Sequence, residues 1–414
     1  MSNIEKNRTS KGSFIFVFLT VMIDMMGIGI IIPVVPKLIQ SLTGETLSDA
    51  ALTGGLLYTS YAIVQFLFAP VLGELSDRFG RKPVLLIALL GLGLDYFIHA
   101  FSPTIAWLFF GRILAGMFGA SHSVAFAYVA DISSKENKAR NFGFMGAAFG
   151  LGFMLGPGIG GIIGDYWGIK APFFVAGGLS ILNFVFGLLF VHESLIPENR
   201  RKVNYKKMLP FVSLAHLGKY KAVLGLILAF GLAQLAGQVM PSTWSYFTME
   251  AFEWDEWDVG LSLSVVGLLV SLVQAGLTGV LVKKFGNKRV IMAGFIFYAF
   301  GMMGIAFAGN SFLLYAFMVP YVLGGIAGPT IQGLVSNHVP ANEQGNLQGV
   351  LSSLSSMSAF TIPVIYTFIF SVYTSQQSST YFPGAPFLLA GLILLVACLV
   401  AFFSVRTLIG NKSA

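Results

Sequence analysis

Apolar residues fall in runs of about 18 to 28 along almost the whole chain, broken by short polar turns. Each run is long enough to cross a hydrocarbon core of roughly 30 Å as a helix. Twelve such segments are predicted, near residues 14–35, 53–73, 84–101, 104–130, 141–163, 171–191, 222–249, 260–282, 290–308, 311–337, 346–372 and 385–405. The segments 104–130 and 311–337 are longer than a perpendicular helix needs and are expected to tilt. Six segments, a polar stretch and six more segments divide the chain into a first bundle at 1–191, a cytoplasmic linker at 192–221 and a second bundle at 222–414. The linker is basic, contains Pro197 and Pro210, and suits an amphipathic helix on the membrane surface. The expected fold class is an all-α membrane protein with twelve transmembrane helices in two pseudo-symmetric six-helix bundles.

The two-bundle reading rests on a repeat. Gly73-Glu-Leu-Ser-Asp77-Arg78-Phe-Gly80-Arg81-Lys82-Pro83 returns 206 residues later as Gly279-Val-Leu-Val-Lys283-Lys284-Phe285-Gly286-Asn-Lys288-Arg289. Both glycines, the Phe and most of the positive charge fall in register. A basic, glycine-punctuated turn at the same place in two halves marks a duplicated bundle, the architecture of many secondary transporters.

Composition agrees. Of 414 residues, 56% are hydrophobic and 10% charged, too little charge to coat a soluble globule of this size. The N-terminal run follows Lys6, Arg8 and Lys11, but it is too long for a signal peptide, contains Asp24 and Pro33, and lacks a small-residue cleavage site. It reads as a retained first helix. With the N-terminus inside, 22 of the 25 Lys and Arg lie on the cytoplasmic side; Lys37 and Lys170 lie outside and Arg112 within a span. That asymmetry predicts both termini in the cytoplasm. The net charge of +7 follows from it and suits contact with anionic lipid, so nucleic-acid binding is an unneeded explanation. The single cysteine, Cys398, lies in the last span and excludes a disulfide within the chain.

Charge inside a bilayer costs at least ~2.5 kcal/mol per residue on insertion scales, so each instance needs a reason. From the predicted span edges, Asp24, Asp95 and Arg112 lie roughly 15, 16 and 12 Å deep, near the midplane, and all three belong to the first half. A carboxylate in a partly dry cavity suits proton loading and release. The alternative is a static ion pair between Arg112 and one of the two Asp. His99 follows Asp95 by one helical turn and can relay protons, or it is a wetted histidine near the outer end of its span. His122 is a weaker candidate.

The second half carries amides instead: Gln234, Gln238, Gln274, Gln332 and Gln348, with Gln234 and Gln238 one turn apart on a shared face. Beside Trp244, Tyr246 and Tyr298 they suit a polar, multi-ring substrate; interhelical hydrogen bonding is the competing explanation. The first half is thus expected to handle protons and the second to shape the substrate cavity. Glycine-rich spans such as Gly152-x3-Gly156-Pro157-Gly158-x-Gly160-Gly161 allow close helix approach, and Pro157 is expected to bend span five. At the cytoplasmic mouth, Asp77, Arg78 and Arg81 are expected to reach Asp131 in a gating network. The outer loop 250–258, with Trp254 and Trp257, suits interfacial anchoring or substrate capture. No nucleotide loop, metal-ligand cluster or nucleophile elbow occurs, so the chain reads as a non-enzyme without a metal site.

Gly73 to Pro83 resembles the signature loop between helices two and three of the major facilitator superfamily. Gly111-Arg112-Ile-Leu-Ala-Gly116, running to Tyr128-Val-Ala-Asp131, resembles its fourth-helix motif, and Gly152 to Gly161 is similar to the fifth-helix motif of drug:proton antiporters. The runs around Asp24, Gln65, Asp95, Asn141, Gln234 to Gln238 and Gln344 to Gln348 resemble the tetracycline-efflux branch. The resemblance implies export of a metal–tetracycline complex in exchange for a proton. It implies substrate and proton handling by Asp24, Gln65 and Asp95, with coupling and gating by Arg112, Asp77 and Arg78. Gly73, Gly80, Gly156 and Pro157 belong to the same gating motifs. Two positions depart from the branch. Residues 290–308 carry no acid, with Tyr298 at the matching place, and Val270 stands where a histidine is common in helix eight.

The expectation is therefore a monomeric, proton-driven exporter of drug-like amphiphiles in a bacterial inner membrane. Tetracycline-type compounds lead, protons are the coupling ion, no cofactor is needed, and a divalent metal is open as part of the cargo. Export of an endogenous metabolite or siderophore on the same fold is one alternative. A transport-inactive sensor or lipid-handling protein is the other.

Overall fold

The computed structural model describes residues 3–119, 121–133, 137–201, 223–340 and 343–410. Most of the expected linker, 202–221, and with it the expected surface helix, lies outside the described residues. The first half forms α1 (Asn3–Ile31), α2 (Val35–Thr43), α3 (Leu47–Phe79), α4 (Arg81–Phe101), α5 (Ile105–Phe118), α6 (Ser121–Ile132), α7 (Lys138–Trp167) and α8 (Ala171–Phe190). The second half forms α9 (Leu224–Gly237), α10 (Val239–Phe252), α11 (Glu256–Leu272), a π-helical turn (Val273–Leu277), α12 (Thr278–Ala306), α13 (Ser311–Gly324) and α14 (Ala327–Ser336). It ends with α15 (Gln344–Thr361), α16 (Pro363–Thr374) and α17 (Ala385–Gly410).

Eleven helical stretches among the described residues are long and apolar enough to cross a membrane. The span expected at 260–282 is helical but interrupted: α11 stops after 17 residues and the chain passes through the π turn before α12. The wider turn leaves the Val273 carbonyl accepting from the Thr278 backbone N–H, and the Thr278 hydroxyl donates to the same oxygen at 3.2 Å.

Several spans divide where proline removes a backbone donor. Pro241 has no N–H for the Gly237 carbonyl, and the chain turns at Gln238 between α9 and α10. Pro329 does the same to Gly325, which separates α13 from α14, and Pro363 opens α16 directly after α15. By contrast α7 runs unbroken through Pro157.

The duplicated loop is visible in the backbone. Gly80 ends α3 at φ 108°, ψ 159°, and Gly286 divides α12 at φ 77°, ψ 157°. A side chain is strained in that region of φ/ψ, so the glycine shared by the two loops fixes the same sharp reversal in both halves. Gly73, in contrast, lies within α3, and a Cβ there meets nothing within 4 Å.

The described residues of 1–45, 60–210 and 254–267 form one compact unit, and those of 46–59, 211–253 and 268–414 form another. In the first unit Phe16, Val21, Leu85, Leu89, Tyr128 and Met145 form a buried core. The seam between α1 and α7 is built from glycine. A Cβ on Gly156 lies 2.9 Å from the Gly29 Cα and 2.5 Å from the Met26 carbonyl, and a Cβ on Gly29 lies 2.7 Å from the Pro157 ring. Without a hydrophobic drive between helices in lipid, such backbone-to-backbone contact is what holds them. Gly156→Leu is therefore expected to destabilise the protein by about 1–3 kcal/mol through overpacking. Gly143→Leu, on the same helix where a Cβ meets nothing within 4 Å, leaves thermal unfolding in detergent near the parent value. The second unit centres on an aromatic cluster in which Trp244, Phe247 and Phe387 meet with centroids 4.8 to 6.3 Å apart. Outward faces remain apolar, as at Leu182, Leu189, Phe312 and Phe403, which suits lipid contact.

Candidate functional site

α4 presents Asp95 and His99 one turn apart, and α5 brings Arg112 against both. Arg112 Nη2 donates to Asp95 Oδ2 at 2.8 Å, and Arg112 Nε donates to His99 Nε2 at 3.0 Å. Because Nε2 accepts, the imidazole hydrogen sits on Nδ1. It points to the Asp95 backbone carbonyl at 2.9 Å, while Asp95 Oδ1, also 2.9 Å from Nδ1, has no hydrogen bond of its own. The Asp95 and His99 side chains are 1% and 5% exposed, and Arg112 at 16% is the more open member. Phe173 of α8 stacks on the His99 ring at 5.6 Å and 12°. A Cβ on Gly111 would lie 2.5 Å from His99 Cε1, so glycine is what lets α5 approach this closely. The expectation of a wetted His99 is thereby corrected: Phe173 and Arg112 cover it.

Asp24 is also buried, and it accepts from Ser121 Oγ of α6 at 2.6 Å. Gln65 of α3 donates to Tyr61 Oη and to the Gly119 carbonyl, each at 2.8 Å, and the Tyr61 ring lies 5.8 Å from the Arg112 guanidinium. Gln65 thus ties α3 to α5 beside the charged cluster.

Gln234 and Gln238, one turn apart at the end of α9, have separate partners. Gln234 donates to Ser355 of α15 at 2.6 Å, and Gln238 accepts from Tyr58 of α3 at 3.2 Å. Gln274 sits in the π turn, and Tyr298 pairs edge-on with Tyr321 at 5.4 Å.

At the 73–83 loop, Arg81 rather than Arg78 makes the expected network. Arg81 pairs with Asp77 at 2.5 Å and Asp131 at 3.1 Å, and donates to Ser76 Oγ at 2.6 Å. Arg78 instead lies over the Phe79 ring at 5.0 Å. Sequence reasoning missed Glu193. Its carboxylate accepts from the first backbone N–H groups of α4, Arg81 at 2.8 Å and Lys82 at 3.2 Å, where the helix dipole favours an anion. No spacing rule links positions 112 residues apart; an acid directly after the sixth apolar run was the available signal. An open cleft of about 570 Å³ lies here, lined by Asp77, Arg81, Asp131, Leu195, Glu198, Arg200 and Arg201.

A second missed pair joins Lys37 of α2 to Glu256, the first residue of α11, at 2.5 Å. Glu256 is buried against α7, where a Cβ on Gly164 lies 3.6 Å from the Glu256 Cβ. Trp254, expected at the interface, is buried too, whereas Trp257 is exposed.

Comparison with known proteins finds the sequence pattern of the Major Facilitator Superfamily over residues 17–363 and 226–413. The chain is 40% identical to the class C tetracycline resistance protein of Escherichia coli, over 88% of this chain and 91% of that one. It is 34% identical to the class H tetracycline resistance protein of Pasteurella multocida, over 95% and 96%. Among solved structures, the nucleoside transporter NupG shares the fold with a TM-score of 0.75 at 13% identity, over 95% of this chain and 99% of that one.

Proposed function

The chain belongs to the major facilitator superfamily, and from that premise we propose that it exports tetracycline-type compounds across a bacterial inner membrane in exchange for protons. It is a multi-pass membrane transporter, not an enzyme. The observation that carries the proposal is the buried Asp95–His99–Arg112 cluster in a chain 40% identical to a tetracycline resistance protein. A guanidinium shared by a carboxylate and an imidazole, away from bulk solvent, is suited to changing its partners when a proton arrives.

In this reading Asp95, Arg112 and His99 couple the proton. Asp24, held by Ser121, and Gln65 contribute to both proton and substrate handling. Gln234, Gln238, Gln274 and Tyr298 contact substrate. Gly73, Asp77, Arg78, Gly80, Arg81, Asp131, Gly156 and Pro157 serve gating, with Arg81 the hub of the charged part. Both termini are cytoplasmic, the protein acts as a monomer, and a divalent metal travelling with the drug is cargo. The acid-free stretch around Tyr298 in α12 favours a second reading, in which the same machinery exports a different amphiphile, such as an endogenous metabolite.

Inside-out vesicles with an acid interior and Mg²⁺ outside the membrane test the substrate. Tetracycline is expected to accumulate and to leave when a protonophore collapses the gradient. Absence of accumulation, with the protein folded and in the membrane, removes tetracycline and leaves the second reading.

A further inference from the structure

The site just described is a row of atoms as well as a set of charges. Arg112 Nε donates to His99 Nε2, His99 carries its hydrogen on Nδ1, and the unpartnered Oδ1 of Asp95 stands 2.9 Å from Nδ1. The other carboxylate oxygen, Oδ2, is held by Arg112 Nη2. One guanidinium therefore has two acceptors, and those acceptors are joined by the imidazole. Resting on the transport reading above, we propose that His99 is the proton relay of Asp95, and that a single proton taken at Nε2 removes one acceptor of Arg112 and the negative charge of the other at once.

The step balances. A proton adds to Nε2, where the lone pair had accepted from Arg112 Nε. The Nδ1–H bond breaks and that proton passes to Asp95 Oδ1, forming a neutral carboxylic acid. The imidazole is left neutral with its hydrogen on Nε2. Arg112 has then lost the lone pair at Nε2 and the negative charge behind Oδ2, so a cation that faced an anion and an imidazole keeps only a neutral carbonyl acceptor and has no counter-ion. Return of the proton reverses each transfer. A lone Asp–Arg pair responds to a proton only when it lands on the carboxylate itself. Here the same response follows from a proton delivered to the imidazole, beside the more open guanidinium.

The groups facing His99 permit this. From its own helix Asp95 faces Nδ1, and from α5 Arg112 faces Nε2. α8 contributes the uncharged Phe173, stacked on the ring. The Lys170 ammonium at the start of α8 donates to the Ser102 carbonyl at 3.4 Å, one turn beyond His99, rather than to the ring. Tyr61 of α3 lies against Arg112, and Asp24 of α1 is engaged by Ser121.

Two readouts separate relay from scaffold. Full-length protein with ¹⁵N-labelled histidine in lipid nanodiscs reports the tautomer of each ring, and His99→Gln assigns the signal. The Nδ1–H form is expected at alkaline pH and the Nε2–H form is expected to grow in as the pH falls, with that tautomer change absent in Asp95→Asn. Retention of Nδ1–H until the ring becomes an imidazolium, in both proteins alike, overturns the proposal. In inside-out vesicles, His99→Gln keeps an acceptor for Arg112 but relays nothing. Its gradient-driven tetracycline uptake is expected to fall by about tenfold more than its counterflow exchange of labelled for unlabelled drug. Equal losses, or none, overturn the relay. A tautomer change in a parent protein that moves no tetracycline sinks the substrate assignment and leaves the relay standing.

Discussion

Asp95→Asn is expected to reduce gradient-driven tetracycline uptake to the level of vesicles lacking the protein, a loss of about a hundredfold or more. The substitution is nearly isosteric. The amide oxygen still accepts from Arg112 Nη2, which now lies 2.8 Å from Oδ2, so the contact between α4 and α5 survives as a bond from the charged guanidinium to a neutral oxygen. What disappears is the negative charge that a proton must cancel. Exchanging the carboxylate acceptor for a neutral oxygen leaves the charged donor in place and removes about 1 kcal/mol of interaction, some of which Arg112 offsets through its 16% exposure. Folding in detergent is thus weakened but retained, and the transport loss exceeds anything the stability change explains. Asp95→Ala leaves the guanidinium with His99 alone and is expected to lower thermal stability further. Uptake by Asp95→Asn at a sizeable fraction of the parent, from protein present at equal amount, removes Asp95 from coupling.

Much of the fold is legible in the sequence because its determinants are local. Span length follows from the thickness of a bilayer, and the turns at Gly80 and Gly286 follow from a residue type that alone tolerates their backbone angles. Proline gave the helix breaks in principle, yet the outcome depends on context. Pro241, Pro329 and Pro363 accompany breaks, whereas Pro157 lies inside a continuous α7 whose glycine face is clamped on α1. The π turn at Val273–Leu277 had no visible signal beyond Gly276.

The candidate site divides along the same line. Asp95, His99 and Arg112 stand out because ionisable residues are rare in these spans, and their spacing put two of them on one face. Their bonding order was not legible, since it depends on how far α5 approaches at Gly111. The gating loop shows the limit of motif reading. Asp77, Arg78 and Arg81 are close in sequence, but α3 ends at Phe79 and Gly80 reverses the chain, which returns Arg81 to Asp77 and sends Arg78 away over Phe79. Glu193 and Glu256 find partners 112 and 219 residues away, beyond any local pattern.

The Lys37–Glu256 pair carries an expectation that burial, not charge alone, sets. Glu256 is 5% exposed and Lys37 43%. Lys37→Met strips the buried carboxylate of its counter-ion, a kind of change that costs about 3–5 kcal/mol in a fully dry site. The openness of Lys37 means that water already shares in solvating the pair, so roughly 2 kcal/mol is the expected loss here. Glu256→Gln leaves an ammonium that can turn to solvent, keeps an oxygen for it to donate to, and gives up mainly the favourable placement of an anion on the first turn of α11, about 0.3–1 kcal/mol. The lysine variant should therefore be the less stable of the two, and the double variant should recover to within about 1 kcal/mol of Glu256→Gln, because no buried charge is then left unpaired. Thermal unfolding of the four proteins in one detergent measures the cycle. Because Glu256 lies against the Gly161–Gly164 face of α7, loss of the lysine is also expected to loosen residues 254–267, read as faster amide hydrogen exchange there than in Glu256→Gln. Equal destabilisation by the two single variants would mean that both ends of the pair are solvated alike, and that Glu256 is held by its helix and not by Lys37.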